Sequence, residues 1–126
     1  MDQSKRGVIE PLGCAGNMTE ERRFEIQVDR NLEGIEFEKK GELEKAIRLY
    51  EKNIEEDFEG SHPYDRLAIV YRKKGEYGEE IRVLRKAIFV FENKIHSGRA
   101  DREPKLQKFR ERLDKAIQKL EKAKEG

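Results

Sequence analysis

Gly41 and Gly75 lie 34 residues apart, and the residues around them match. Lys39-Lys40-Gly41-Glu42 returns as Lys73-Lys74-Gly75-Glu76. Downstream, Ile47-Arg48 returns as Ile81-Arg82, Lys52 as Lys86 and Ile54 as Ile88. Upstream, Phe37 is answered by Tyr71, and Gly34 by Ala68. An internal period of this length marks stacked helical hairpins, each too small to bury its apolar face alone. It predicts an all-α fold, and a chain that presents a surface rather than one that assembles a catalytic centre.

Hydrophobic spacing divides the chain into five helices. Thr19 is a candidate N-cap, followed by Glu20 and Glu21, whose carboxylates suit a helix start. Phe24, Val28, Leu32 and Ile35 then form an apolar stripe that predicts a first helix to about Lys40, closed by Gly41. A second helix is expected from Glu42 to Asp57, with Leu43, Ala46, Ile47, Tyr50 and Ile54 buried. Ser61 or His62 caps a third, with Pro63 in its first turn, Tyr64, Leu67, Ala68 and Tyr71 inward and Gly75 at its end. The fourth, Glu76 to Ile95, is apolar on two edges. Tyr77, Ile81, Leu84, Ile88 and Phe91 lie on one, and Val83, Ala87 and Val90 on the other, so neighbours must cover both. A last helix, about 104–124, has the single stripe Leu106, Phe109, Leu113, Ile117 and Leu120 and a polar back. That pattern is expected of a helix that caps an array.

The chain is 44% charged and 35% hydrophobic, but 28 basic and 27 acidic residues nearly cancel. With apolar residues at helical spacing, this composition predicts charge-covered helices rather than disorder. Abundant Glu, Lys and Arg also resemble thermophile usage. The charge is unevenly divided: residues 1–60 carry 10 basic and 16 acidic side chains, and residues 61–126 carry 18 and 11. Such a division arises by chance in short chains. It also fits an anionic partner for the basic half, or head-to-tail self-contact. No segment has the run of apolar residues that a membrane span requires. Residues 1–17, with Gly7, Pro11, Gly13 and Gly16 and no periodicity, are expected to be a flexible tail. They contain no apolar run of the kind a signal peptide needs, so a cytoplasmic location is the expectation.

The inventory of reactive groups is thin. His62 and His96 stand 34 residues apart, with no cysteine or carboxylate at ligand spacing from either. Cys14 has no neighbouring base, and Gly13-Cys14-Ala15-Gly16 is too short to cradle phosphate. No enzyme, metal or cofactor is expected. Glu42 with Lys45 and Glu44 with Arg48 lie at helical ion-pair spacing.

The repeated unit resembles the tetratricopeptide repeat family, whose units are pairs of antiparallel helices. The small positions of the first helices are Gly34 and Ala68, the aromatics Phe37 and Tyr71, and the turns Gly41 and Gly75. Ala46 and Tyr50 take the small and aromatic positions of the second helix in unit one, and Ala87 the later small position in unit two. The units run over about 27–60 and 61–94, inside one helical domain of residues 18–126. The chain departs from the pattern at several places. Glu80 and Asn53 stand where small residues are usual, and Leu84 where an aromatic is. Phe58 stands in place of proline, and Arg30 and Tyr64 in place of tryptophan.

The resemblance implies a concave groove lined by the first helices of the units. Its expected residues are Asn31, Leu32, Ile35, Glu38 and Lys39, then Asp65, Arg66, Ile69, Arg72 and Lys73. Leu32, Ile35 and Ile69 would form an apolar floor, and Arg66, Arg72 and Lys73 a basic rim. The partner expected there is a protein or peptide with an apolar anchor and acidic groups. Two other occupants fit: the last helix of the chain itself, or a second chain in a homodimer. Nucleic acid is a weaker reading. The basic row of the last helix is interrupted by Glu111, Asp114 and Glu121, and no exposed aromatics accompany it.

Overall fold

A computed structural model describes residues 18–125, and the expected tail with Cys14 lies outside the described residues. The fold is all-α: α1 (Glu20–Lys39), α2 (Leu43–Glu55), α3 (His62–Lys73), α4 (Tyr77–Asn93) and α5 (Arg102–Glu125). Each helix packs on the next in chain order, as short links between antiparallel neighbours require. Among the described residues, no helix is long and apolar enough to cross a membrane.

The 34-residue echo survives as backbone chemistry. Gly41 and Gly75 sit at φ +79° and +75°, where a Cβ would be strained. Beyond each glycine the same bond closes the helix. Glu42 N–H donates to the Phe37 carbonyl at 2.8 Å, and Glu76 N–H to the Tyr71 carbonyl at 2.8 Å. Helix α2 ends the same way without a glycine: Asp57 takes φ 58°, and Phe58 N–H donates to the Asn53 carbonyl at 3.1 Å. At the other end of the hairpin, Thr19 caps α1 by accepting from Arg22 N–H at 3.0 Å.

The core is built where the third, fourth and fifth helices meet. Tyr64, Leu67, Val83, Leu84, Ala87, Val90 and Phe91 are fully buried. Phe109 of α5 packs edge-on against Phe91 at 5.3 Å and Tyr64 at 6.4 Å. The two apolar edges of α4 are thus covered by α3 and α5. Arg102 fastens the α4–α5 corner by donating to the Phe91 carbonyl at 2.9 Å and the Glu92 carbonyl at 3.2 Å. There its charge also complements the end of the α4 dipole. Along α5, Leu106, Phe109 and Ala116 are buried, and Leu113, Ile117 and Leu120 are only partly covered.

Helix α1 packs through a face that is largely polar. Of its apolar stripe, Phe24 is 50% and Leu32 56% exposed, and Val28 and Ile35 are only partly buried. Gln27, Asn31 and Gly34 are buried instead. The cause is Asn53, fully buried on α2. Its amide donates to the Gln27 carbonyl at 2.8 Å and to Asn31 Oδ1 at 2.9 Å, and its oxygen accepts from Arg30 at 3.0 Å. Arg30 continues to Glu56 at 2.8 Å, which also accepts from Gln27 at 3.1 Å. A buried amide must be satisfied, so the polar face of α1 turns toward it. Gly34 completes the contact, because only a residue without Cβ fits against the Tyr50 ring. Phe24 is left stacked on Phe58 at 5.6 Å. Of the two expected ion pairs, Glu42–Lys45 forms at 2.6 Å, whereas Glu44 turns to Lys74 of the next unit at 3.2 Å.

Candidate functional site

The expected groove residues divide into three groups. Asn31 is withdrawn from any groove, since its side chain is spent on Asn53 inside the α1–α2 interface. Leu32 is exposed, Ile35 is half-buried, and Lys39 is exposed and paired with Glu36 at 3.4 Å. Glu38 and Arg66 neutralise each other: two guanidinium nitrogens lie 2.6 and 3.1 Å from its carboxylate. Tyr50 O–H donates to the same carboxylate at 2.7 Å. Partial burial pushes the Glu38 carboxyl up, but the bonds from Arg66 and Tyr50 outweigh it and hold it below its ordinary value. This cluster walls off the α1 side, and Arg66 is therefore not a free cation on the rim.

The third group forms a site with α5. His62, Asp65, Arg66, Ile69 and Arg72 line one wall of a 450 Å³ depression, and Lys108 and Arg112 line the other. An adjoining 140 Å³ pocket is lined by Arg72, Glu80, Arg112, Lys115, Ala116 and Lys119. Arg72 and Arg112 are shared, so the two make one furrow between α3 and α5, with Glu80 of α4 in its wall. Lys73, the remaining expected residue, is exposed at the end of α3.

The four cations that α5 gives this furrow, Lys108, Arg112, Lys115 and Lys119, were not among the expected groove residues, nor were His62, Glu80 and Ala116. The signal of the four cations was present: they recur every three or four residues and so share one face of α5. Arg112 donates one nitrogen to Asp65 at 2.6 Å. Among the described residues, Arg72, Lys108, Lys115 and Lys119 make no ion pair within 4.0 Å.

Buried polar atoms without a hydrogen bond gather here. Arg112 Nη2, Glu80 Oε1 and His62 Nε2 are all sequestered and unpartnered. Glu80 is 2% exposed. Burial raises its carboxyl above the usual range, against the pull of Arg72, Lys119 and Arg112. Burial likewise lowers the His62 imidazole, with help from Arg66. A further such atom, Asp57 Oδ1, lies elsewhere and has Lys86 Nζ at 2.5 Å.

A larger depression of 670 Å³ lies between α2 and α4, over Ile47 and Ile54. Its rim is largely self-paired: Arg82 with Glu51 at 2.5 Å, and Lys52 with Glu55 at 3.7 Å. The α3–α5 furrow differs in holding Arg72, Lys108, Lys115 and Lys119, which make no ion pair among the described residues. Among the described residues, no three His, Cys, Asp or Glu side chains converge as metal ligands. The furrow's chemistry is thus positive charge beside the half-buried Ile69. No protein-family model, curated protein or solved structure matches the chain.

Proposed function

We propose that this chain is a non-enzymatic protein–protein interaction module of the tetratricopeptide-repeat kind, a cytoplasmic adaptor that holds a peptide segment of a protein partner against α3. The repeat assignment is supported by identical helix closures at Gly41 and Gly75. The observation that carries the function is the open furrow between α3 and α5, with Ile69 beside Arg72. An apolar anchor flanked by polar contacts is the usual composition of a peptide-binding surface. Affinity capture with the intact protein and with Ile69→Arg tests this reading. The expected result is a discrete partner retained by the intact protein and lost from the variant. Equal retention by both removes the reading.

Self-association is the second reading, favoured by the exposed Phe24 and Leu32 on α1. Light scattering across a concentration series separates it, because a monomer at every concentration leaves only the adaptor. Nucleic acid is disfavoured by the pairing of Arg110 with Glu92 at 2.5 Å and Arg112 with Asp65. The four large hydrophobics exposed among the described residues, Met18, Phe24, Leu32 and Phe89, lie outside the residues lining the furrow.

A further inference from the structure

We infer that the inner end of the α3–α5 furrow is a seat for carboxylates of an acidic peptide segment, formed by Arg72, Arg112, Lys115 and Lys119 around the buried Glu80, with Lys108 extending the row. This rests on the adaptor reading and names what the partner must carry.

Three independent observations converge on it. The first is a set of cations that form no ion pair. Arg72, Lys108, Lys115 and Lys119 are unpaired among the described residues, while the neighbouring cations Arg66 and Lys105 are engaged by Glu38 and Ser61. Lys108 to Lys119 spans about 16 Å of helix, a row long enough to meet several acidic side chains rather than one isolated ion.

The second is an unused donor. Arg112 Nη1 is held by Asp65, which fixes the guanidinium plane, and Nη2 is buried with no acceptor. A buried donor left unpaired is costly. A carboxylate entering the 140 Å³ pocket supplies that acceptor, and Arg72, Lys115 and Lys119 surround the position it would take.

The third is Glu80. It stands where the repeat pattern has a small residue, and it is nearly enclosed in the wall of the same pocket. Its carboxyl feels the attraction of Arg72, Lys119 and Arg112 but is hydrogen-bonded to none of them through Oε1. When ionised, it weakens the attraction that an anionic ligand experiences there. Removing the charge while keeping the shape should therefore strengthen binding.

The test uses the full chain and fluorescence anisotropy at low salt. The probes are a short labelled peptide with several glutamates beside one leucine, the same peptide with glutamine for glutamate, and a single-stranded RNA of equal charge. The glutamate peptide should bind, weaken as salt rises and exceed both other probes. Lys115→Glu with Lys119→Glu, both at exposed positions, should lower its affinity by roughly tenfold or more. Glu80→Gln should raise its affinity. Circular dichroism establishes that each variant is folded. Equal affinity for the double variant, or weaker binding by Glu80→Gln, overturns the seat. Tighter binding of the RNA overturns it in favour of a nucleic-acid surface. Ile69→Arg separates the two levels. If it abolishes peptide binding while the lysine variant does not, the adaptor reading stands and the carboxylate seat falls.

Discussion

Gly34 and Gly78 are both helical glycines, yet substituting them should have opposite effects. A Cβ on Gly34 would lie 2.5 Å from the Tyr50 ring, whose hydroxyl anchors Glu38. Gly34→Ala should destabilise the fold by about 1–3 kcal/mol through overpacking. Nothing lies within 4 Å of a Cβ on Gly78, so Gly78→Ala should gain roughly 0.5–1 kcal/mol from helix propensity alone. Urea denaturation of the pair checks both signs. Glu80 gives a second residue-scale prediction. Its folded-state pKa lies above the ordinary 4.5, so the folded chain holds its proton more tightly than the unfolded chain does. Stability from this group is present below 4.5 and declines as pH rises through the folded value. Glu80→Gln should therefore raise the melting temperature at pH 7 and leave it nearly unchanged at pH 4. Glu38 and Glu56, both lowered by their arginine partners, act in the opposite sense and lose their contribution on acidification. Glu80 was visible in the sequence as a carboxylate at a small-residue position. What surrounds it depends on how α5 docks, which a two-unit repeat frame does not contain.

Elements were legible wherever one local rule decided them. The glycine closures, the proline at the start of α3 and the two-edged pattern of α4 each fixed a boundary or a burial face. The packing face of α1 was not legible from its apolar stripe, because Gln27, Asn31 and Gly34 are enclosed while Phe24 and Leu32 stay open. The competing rule is that a buried amide demands partners, and Asn53 on α2 imposed it. The stability of the α1–α2 hairpin should accordingly depend on that amide. Asn53→Ala strands the Asn31 oxygen, takes a second donor from the Gln27 carbonyl and removes an acceptor from Arg30. A loss of about 1–3 kcal/mol is expected. Nuclear magnetic resonance should show the largest amide shifts in α1 and α2. A change confined to the turn at Asp57 would mean that the network does not hold α1.

At the scale of the molecule, α5 does two jobs that its sequence displays on adjacent faces. Its apolar face closes the core over α4 and Tyr64, and the cation row beside that face forms a wall of the furrow. Reading the stripe as a cap and the cations as an interrupted row for nucleic acid kept these apart, although the helix period joins them. Coupling follows, since a residue that seats α5 also positions Lys108, Arg112, Lys115 and Lys119. Phe109 is that residue, 1% exposed between Phe91 and Tyr64. Phe109→Ala should cost about 3–5 kcal/mol, a large share of the roughly 5–15 kcal/mol that holds a small domain folded. Burial also grades along the array. It is deepest through α3, α4 and the first half of α5, and slight at the start of α1 and beyond Leu120. Native-state hydrogen exchange should follow that gradient, with slowest exchange in α3 and α4 and fast exchange at both ends. In Phe109→Ala, α5 amides should lose protection before those of α2, because α2 packs against α1 and α3 and has no principal contact with α5. Uniform loss across all five helices would instead make the array one cooperative unit, with α5 as necessary to α1 as to α4.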